Sequence, residues 1–214
     1  MARKVFFSFH YDNVKDFRVN VIRKSNAFKK YETQFVDGSL WEEAKAQNNK
    51  ALKDLIDNVG LHNTSVTVVL IGKETNKRPW VRYEIVKSFV RGNGLLGVYL
   101  NRIRSAKTRK IEPKGENPFK KLAFEIDAYG ETIYFYELKN KKWIPYQHIK
   151  SISNRKKNSL FFENKTFLFW NLGNKYWGKR YLFYDFYNTY CWNKDNGYDN
   201  LEKWIEEAAI QAGR

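Results

Sequence analysis

Val66-Thr67-Val68-Val69-Leu70-Ile71, then Gly72-Lys73-Glu74-Thr75-Asn76-Lys77, then Arg78-Pro79-Trp80-Val81-Arg82-Tyr83-Glu84-Ile85-Val86-Lys87-Ser88-Phe89: these consecutive stretches decide the reading of the chain. The first is apolar and β-branched and reads as a strand; the second is a polar loop. In the third, Pro79 suits the first position of a helix, where its missing N–H would go unpaired in any case. Ile85, Val86, Phe89 and Val90 recur at helical spacing and give that helix a buried face. Trp80 and Glu84 are four residues apart, so they stand one above the other on one face, just past the strand's carboxyl end. Ligands of open α/β sheets bind at that end of the strands. An aromatic plate beside a carboxylate there can hold a planar base and a ribose.

Working outward, residues 3–9 form a short strand rich in β-formers. A helix follows, capped by Asp12 or Asn13, with Val14, Phe17, Val21 and Ile22 as its apolar stripe. A second strand is expected from Thr33 to Val36, with a turn at Asp37-Gly38. Ser39-Leu40-Trp41-Glu42 is a capping-box pattern opening a long helix. Ala44, Ala51, Leu52, Leu55, Ile56 and Val59 share one side of it, and Gly60 stops it. After the helix at 80–91, Gly92-Asn93-Gly94 leads into a strand from Leu95 to Leu100. This alternation predicts an α/β fold, a flavodoxin-like parallel sheet with helices on both faces.

From Asn101 the grammar changes. Residues 107–117 make a charged loop punctuated by Pro and Gly. Phe124, Ile126 and Ile133 to Tyr136 suggest strands about a turn at Tyr129-Gly130, and 160–170 and 180–192 are rich in Phe, Tyr and Trp. These read as an antiparallel addition to the main sheet, because a small ribbon alone would expose too many aromatics. The chain closes on a helix at 199–212, with Asp199 as cap and Leu201, Trp204, Ile205, Ala208, Ala209 and Ala212 as its stripe. The expectation is a single domain over 1–214: a core at 3–104, an antiparallel insertion at 105–192 and the closing helix.

The 214 residues carry a formal charge of +16 and one cysteine, Cys191. The cysteine count excludes an intramolecular disulfide framework and fits a cytoplasmic protein. No run approaches a membrane span, so no membrane partner is expected. The charge is dispersed and suits a small anionic ligand or an acidic partner as well as nucleic acid. His10, His62 and His148 lack metal-ligand spacing, so no metal site is expected, and neither a glycine-rich dinucleotide fingerprint nor a nucleophile elbow is present.

Two sites carry chemistry. A carboxylate at Glu84 can stabilise a sugar as it turns into an oxocarbenium ion and can orient its hydroxyls. The plainer reading makes Glu84 a solvated helix residue paired with Lys77 or Lys87, and Trp80 a core residue. At the first strand's carboxyl end, Phe9, His10 and Tyr11 can line a cleft beside a helix N-terminus suited to phosphate; the plainer reading is an ordinary strand-to-helix turn. Lys156, Phe161, Phe162, Phe167, Trp170, Tyr176 and Trp177 can form a base-stacking platform or, as is commoner, fill a small sheet's core.

Lys4-Val5-Phe6-Phe7-Ser8-Phe9-His10, the strand at 66–71 and Trp80-x-x-x-Glu84 together resemble a TIR domain, with Val81 where that family's helix box carries cysteine. The aromatic insertion and the ending from Gly197 to Ala208 resemble the bacterial TIR-like proteins of the Thoeris anti-phage system, the ThsB type. The likeness covers about 3–104 and 199–212. It implies NAD⁺ as substrate rather than a bound cofactor, Glu84 as the essential carboxylate, and release of nicotinamide. It further implies cyclisation of the ADP-ribose into a signal that activates a partner effector, under control of a phage-derived trigger. Trp41 and the C-terminal aromatics would keep water from the cation. The Arg-Asp-x-x-x-Gly box expected after the second strand is echoed only by Asp37-Gly38. The alternative function is a non-enzymatic TIR-like adaptor; a nucleic-acid partner is not expected.

Overall fold

A computed structural model of the chain describes residues 3–10, 17–25, 31–34, 44, 46, 48–154 and 177–214. Strands β1 (Lys4–Phe9), β2 (Glu32–Gln34), β3 (Val66–Ile71), β4 (Gly94–Tyr99) and β10 (Thr189–Cys191) form one sheet in the order β2-β1-β3-β4-β10. Every neighbouring pair is parallel. With β10 as fifth strand this is the doubly wound flavodoxin-like order. β3 and β4 are buried along their whole length, as central strands covered on both faces must be.

One face of the sheet packs against α1 (Arg18–Arg23) and α4 (Gly197–Gln211), joining Val5, Phe7, Val68, Leu70 and Val98 to Ile22, Leu201, Trp204 and Ile205. The α4 stripe read from sequence is buried at all six positions. α4 comes so close to β4 that a Cβ at Gly94 would sit 2.3 Å from the Ala208 carbonyl oxygen. The other face carries α2 (Asn49–Leu55, continued by a π turn at Ile56–Gly60) and α3 (Pro79–Arg91).

Two helix readings need correcting. In α1 the buried residues are Arg18, Val19 and Ile22, while Phe17 and Val21 are exposed. Phe17 has φ 60° and starts the helix from the left-handed region; of the expected stripe Ile22 is buried on the sheet, Phe17 and Val21 are not, and Val14 lies outside the described residues. Arg18 earns its burial by donating to the Ile103 carbonyl at 3.0 Å and pairing with Glu112 at 3.5 Å. The long second helix is interrupted as well: Asn48 is extended, and its side chain caps a fresh start by accepting from Lys50 and Ala51. The expected caps at Asp12, Asn13 and Ser39, the turn at Asp37-Gly38 and the strand at 160–170 lie outside the described residues.

Contrary to the sequence reading, the antiparallel strands do not extend the main sheet, which gains from the 105–192 stretch the parallel strand β10. β5 (Leu122–Ile126), β6 (Thr132–Lys139), β7 (Lys142–Pro145) and β9 (Lys179–Leu182) make a second sheet in the order β7-β6-β5-β9, with β8 (Ser151–Ser153) also paired to β6. Its apolar face is covered by α3. Phe89 sits between Phe124, Phe135 and Phe183 at centroid distances of 5.0, 5.6 and 5.2 Å. Thus α3 is a shared layer: Val69 and Ile71 lie on one side of it and the second sheet on the other. Burying each such side chain contributes about 2 kcal/mol. Among the described residues, no helix is long and apolar enough to cross a membrane.

Candidate active site

The site grows out of the β3–α3 connection. The Gly72 N–H donates to Thr75 Oγ1 at 2.9 Å, closing the polar loop on itself. Arg78 is extended, and Pro79 then opens α3 at its first position. The helix ends at Gly92, φ 70°, whose N–H returns to the Phe89 carbonyl.

Glu84 lies in the second turn of α3 and is 5% exposed. Its Oε2 accepts a 2.5 Å hydrogen bond from Ser8 Oγ of β1. One turn later Ser88 Oγ lies 2.8 Å from Thr67 Oγ1 of β3 and donates to the Glu84 carbonyl at 2.6 Å. These contacts fix the helix against the sheet near the carboxyl end of β1. The solvent-paired alternative for Glu84 does not hold: Lys77 pairs with Glu74 and Lys87 with Asp57, each at 2.7 Å. Burial pushes the Glu84 carboxyl up to about 8, against the opposing pull of the Ser8 hydrogen bond. A buried carboxyl with a strongly raised pKa is a recognised mark of a reactive position.

Trp80 is partly buried and meets Tyr83 edge-on at 5.9 Å and His148 at 5.4 Å. Tyr83 donates to Asp57, 3.1 and 3.2 Å from its two oxygens. Tyr146 is buried beside His148, with ring centroids 5.4 Å apart. His148 is held below the usual histidine range by burial and by the nearby Lys53 charge.

The structure therefore brings Trp80 and Glu84 onto the inner face of one helix, as their spacing predicts. Phe9 packs instead with the core on the opposite face of the sheet, because successive side chains of β1 alternate. His10 is half-buried at the strand's end. Tyr11 and Trp41 lie outside the described residues, as do all the proposed stacking residues except Trp177, which packs over Gly130. Sequence reading missed Ser8 as the partner of Glu84, although a serine inside an apolar strand signals a buried hydroxyl that must be satisfied. Tyr146 and His148 carried no such signal, since nothing in the sequence joins them to α3.

Residues 6–105 match the family model described as Thoeris protein ThsB, TIR-like domain. The chain is 40% identical, over 207 residues, to the Bacillus cereus (strain MSX-D12) protein named "Putative cyclic ADP-D-ribose synthase ThsB1". That alignment covers 96% of this chain and 100% of the relative.

Proposed function

This chain belongs to the ThsB family of Thoeris TIR-like proteins, and from that premise we propose that it cleaves NAD⁺ and cyclises the ADP-ribose. The observation that carries the reading is Glu84: a buried carboxyl, bonded to Ser8, one turn from a partly buried indole. In the reaction the C–N bond between nicotinamide and ribose breaks, and nicotinamide leaves with the bonding electrons. Positive charge then grows on the ribose, and the Glu84 carboxylate stabilises it while orienting the sugar hydroxyls. Trp80 flanks the nicotinamide–ribose. A nucleophile from the adenosine half captures the anomeric carbon, giving a cyclic product. Burial raises the Glu84 carboxyl above the usual carboxylate range, and the positive nicotinamide ring favours its carboxylate form on binding.

His10 and Tyr11 serve the phosphate end, and Trp41 shields the cation; Phe9, packed in the core across the sheet, takes no part. The product is a diffusible signal for a separate effector, made in the cytoplasm in response to a phage-derived trigger. The test is incubation with NAD⁺, with and without extract of phage-infected cells, and detection of nicotinamide and cyclic ADP-ribose by mass. Glu84→Gln is expected to abolish both. Undiminished activity in that variant would remove the assigned role, and equal anti-phage protection by both proteins would favour the adaptor reading.

A further inference from the structure

The second sheet does more than cover α3. Where β6 passes from pairing with β7 to pairing with β8, Phe135 holds both ends of the intervening segment. The Tyr146 N–H donates to the Phe135 carbonyl at 2.8 Å, and the Phe135 N–H donates to the Lys150 carbonyl at 2.9 Å. Gln147, His148 and Ile149 are thereby pushed out as a short finger clamped at its base. Tyr146, 1% exposed, anchors it. Ile149 wedges between the core under the second sheet and the cluster formed by Phe6, Ile56, Leu61 and Tyr83. At the tip, the His148 ring lies tilted by 33° over Trp80 and edge-on to Tyr83, at 5.4 and 5.9 Å.

We infer that His148 is a positioning residue for the Glu84 site: carried by the second sheet, it fixes the Trp80 indole and thereby governs which nucleophile captures the ribosyl cation. This rests on the reading of Glu84 given above. Once nicotinamide has left, two captures of the anomeric carbon compete. Attack by water, which loses a proton to solvent, gives linear ADP-ribose. Attack by the adenosine-side nucleophile, with loss of any proton it carries, gives the cyclic product. An indole that loses its His148 neighbour can swing and admit water; one flanked by both rings keeps the cation dry. The low basicity of His148 fits the role, because a neutral imidazole stacks without bringing a positive charge to a site that must stabilise one.

The experiment compares wild-type protein with His148→Ala and His148→Phe, measuring total nicotinamide, cyclic product and linear product by mass. In His148→Ala the cyclic-to-linear ratio should fall about fivefold or more, further than total nicotinamide release, as expected when a near-attack geometry is loosened. His148→Phe restores the flat partner and should restore the ratio. An unchanged ratio in a His148→Ala protein with a normal melting transition overturns the inference; so does a folded His148→Phe protein that stays at the alanine ratio. A second readout separates this inference from the assignment of Glu84. If His148 contacts Trp80, His148→Ala should shift tryptophan emission in the wild-type background and not in a Trp80→Phe background. Wild-type protein that yields no nicotinamide even with extract of phage-infected cells would fail the NAD⁺ reading alone. An emission shift that persists without Trp80, or no shift at all, would fail the positioning role.

Discussion

The Ser8 hydroxyl donates to Glu84 Oε2 across 2.5 Å, so the first strand and the third helix meet through one short hydrogen bond at a carboxyl otherwise enclosed by protein. Ser8 is the neighbour that favours ionisation, and burial is the larger influence opposing it. The ionised fraction at neutral pH is therefore set by burial, against the opposing pull of the Ser8 hydroxyl.

For wild-type protein, kcat/KM for nicotinamide release should rise with pH and level off above about 8, where the free Glu84 carboxyl ionises. Ser8→Ala removes the favourable donor and should displace the rising limb to higher pH. At pH 7 its activity should fall by roughly tenfold, most of it recovered in alkaline buffer. A profile that falls in height without moving along the pH axis would show that Ser8 does not tune this group.

Stability should respond to the same group. Its folded-state pKa is raised, from 4.5 to about 8, so its contribution is fully present at acid pH and is lost as pH climbs through about 8. Glu84→Gln carries no ionisable group there. Thermal melts from pH 5 to pH 9 should show the variant gaining on wild-type protein by several degrees, with the gap opening above pH 5. Parallel curves would contradict the burial of an ionisable carboxyl.

Arg18 is 3% exposed, bonded to the Ile103 carbonyl and paired with Glu112. Arg18→Met takes the donor from the Ile103 and Lys110 carbonyls and the cation from Glu112, which keeps the Lys73 N–H, and urea denaturation should show a loss of about 3 kcal/mol. The exposed Lys203–Glu207 pair, 3.9 Å apart, is the control: Lys203→Met should change stability by less than about 1 kcal/mol.

Gly94→Ala places a methyl carbon 2.3 Å from the Ala208 carbonyl oxygen, a backbone atom that cannot rotate away. We expect a loss of about 2–3 kcal/mol, with α4 displaced from β4. At Gly178 an added methyl carbon would meet nothing within 4 Å, yet the φ of +69° strains any side chain; Gly178→Ala should cost about 1 kcal/mol. Denaturation midpoints of the two variants would rank them.

Much of this molecule was legible in its residues. Val66 to Ile71 announces a covered strand, Pro79 a helix start, and the Leu201 to Ala212 stripe a helix laid on a sheet. The Trp80 and Glu84 pairing followed from four-residue spacing alone. Other features depended on information that does not sit nearby in the chain. The α1 stripe held at Ile22 but not at Phe17 and Val21, and the helix buries Arg18 instead, an arginine apolar along its stem and partnered at 103 and 112. The second sheet was visible as strands but not as a separate layer, since its pairing is set by turns such as Asn140-Lys141, both at positive φ. Thr189-Tyr190-Cys191 is too short to advertise itself as a parallel strand; it is recruited by the open edge of β4. Ser8 and His148 became site residues only through contacts that span 76 and 68 positions, the first given by Ser8 to Glu84 and the second by Trp80 to His148.

The late arrival of β10 bears on how the chain is made. As translation passes residue 105, the growing polypeptide has its four leading strands but no fifth, and one flank of β4 stays open until the ribosome has added more than eighty further residues, through Cys191. α4, which roofs one side of the sheet, emerges later still. A nascent chain halted between these points would present an unprotected strand margin and bare apolar floor, a natural target for chaperones.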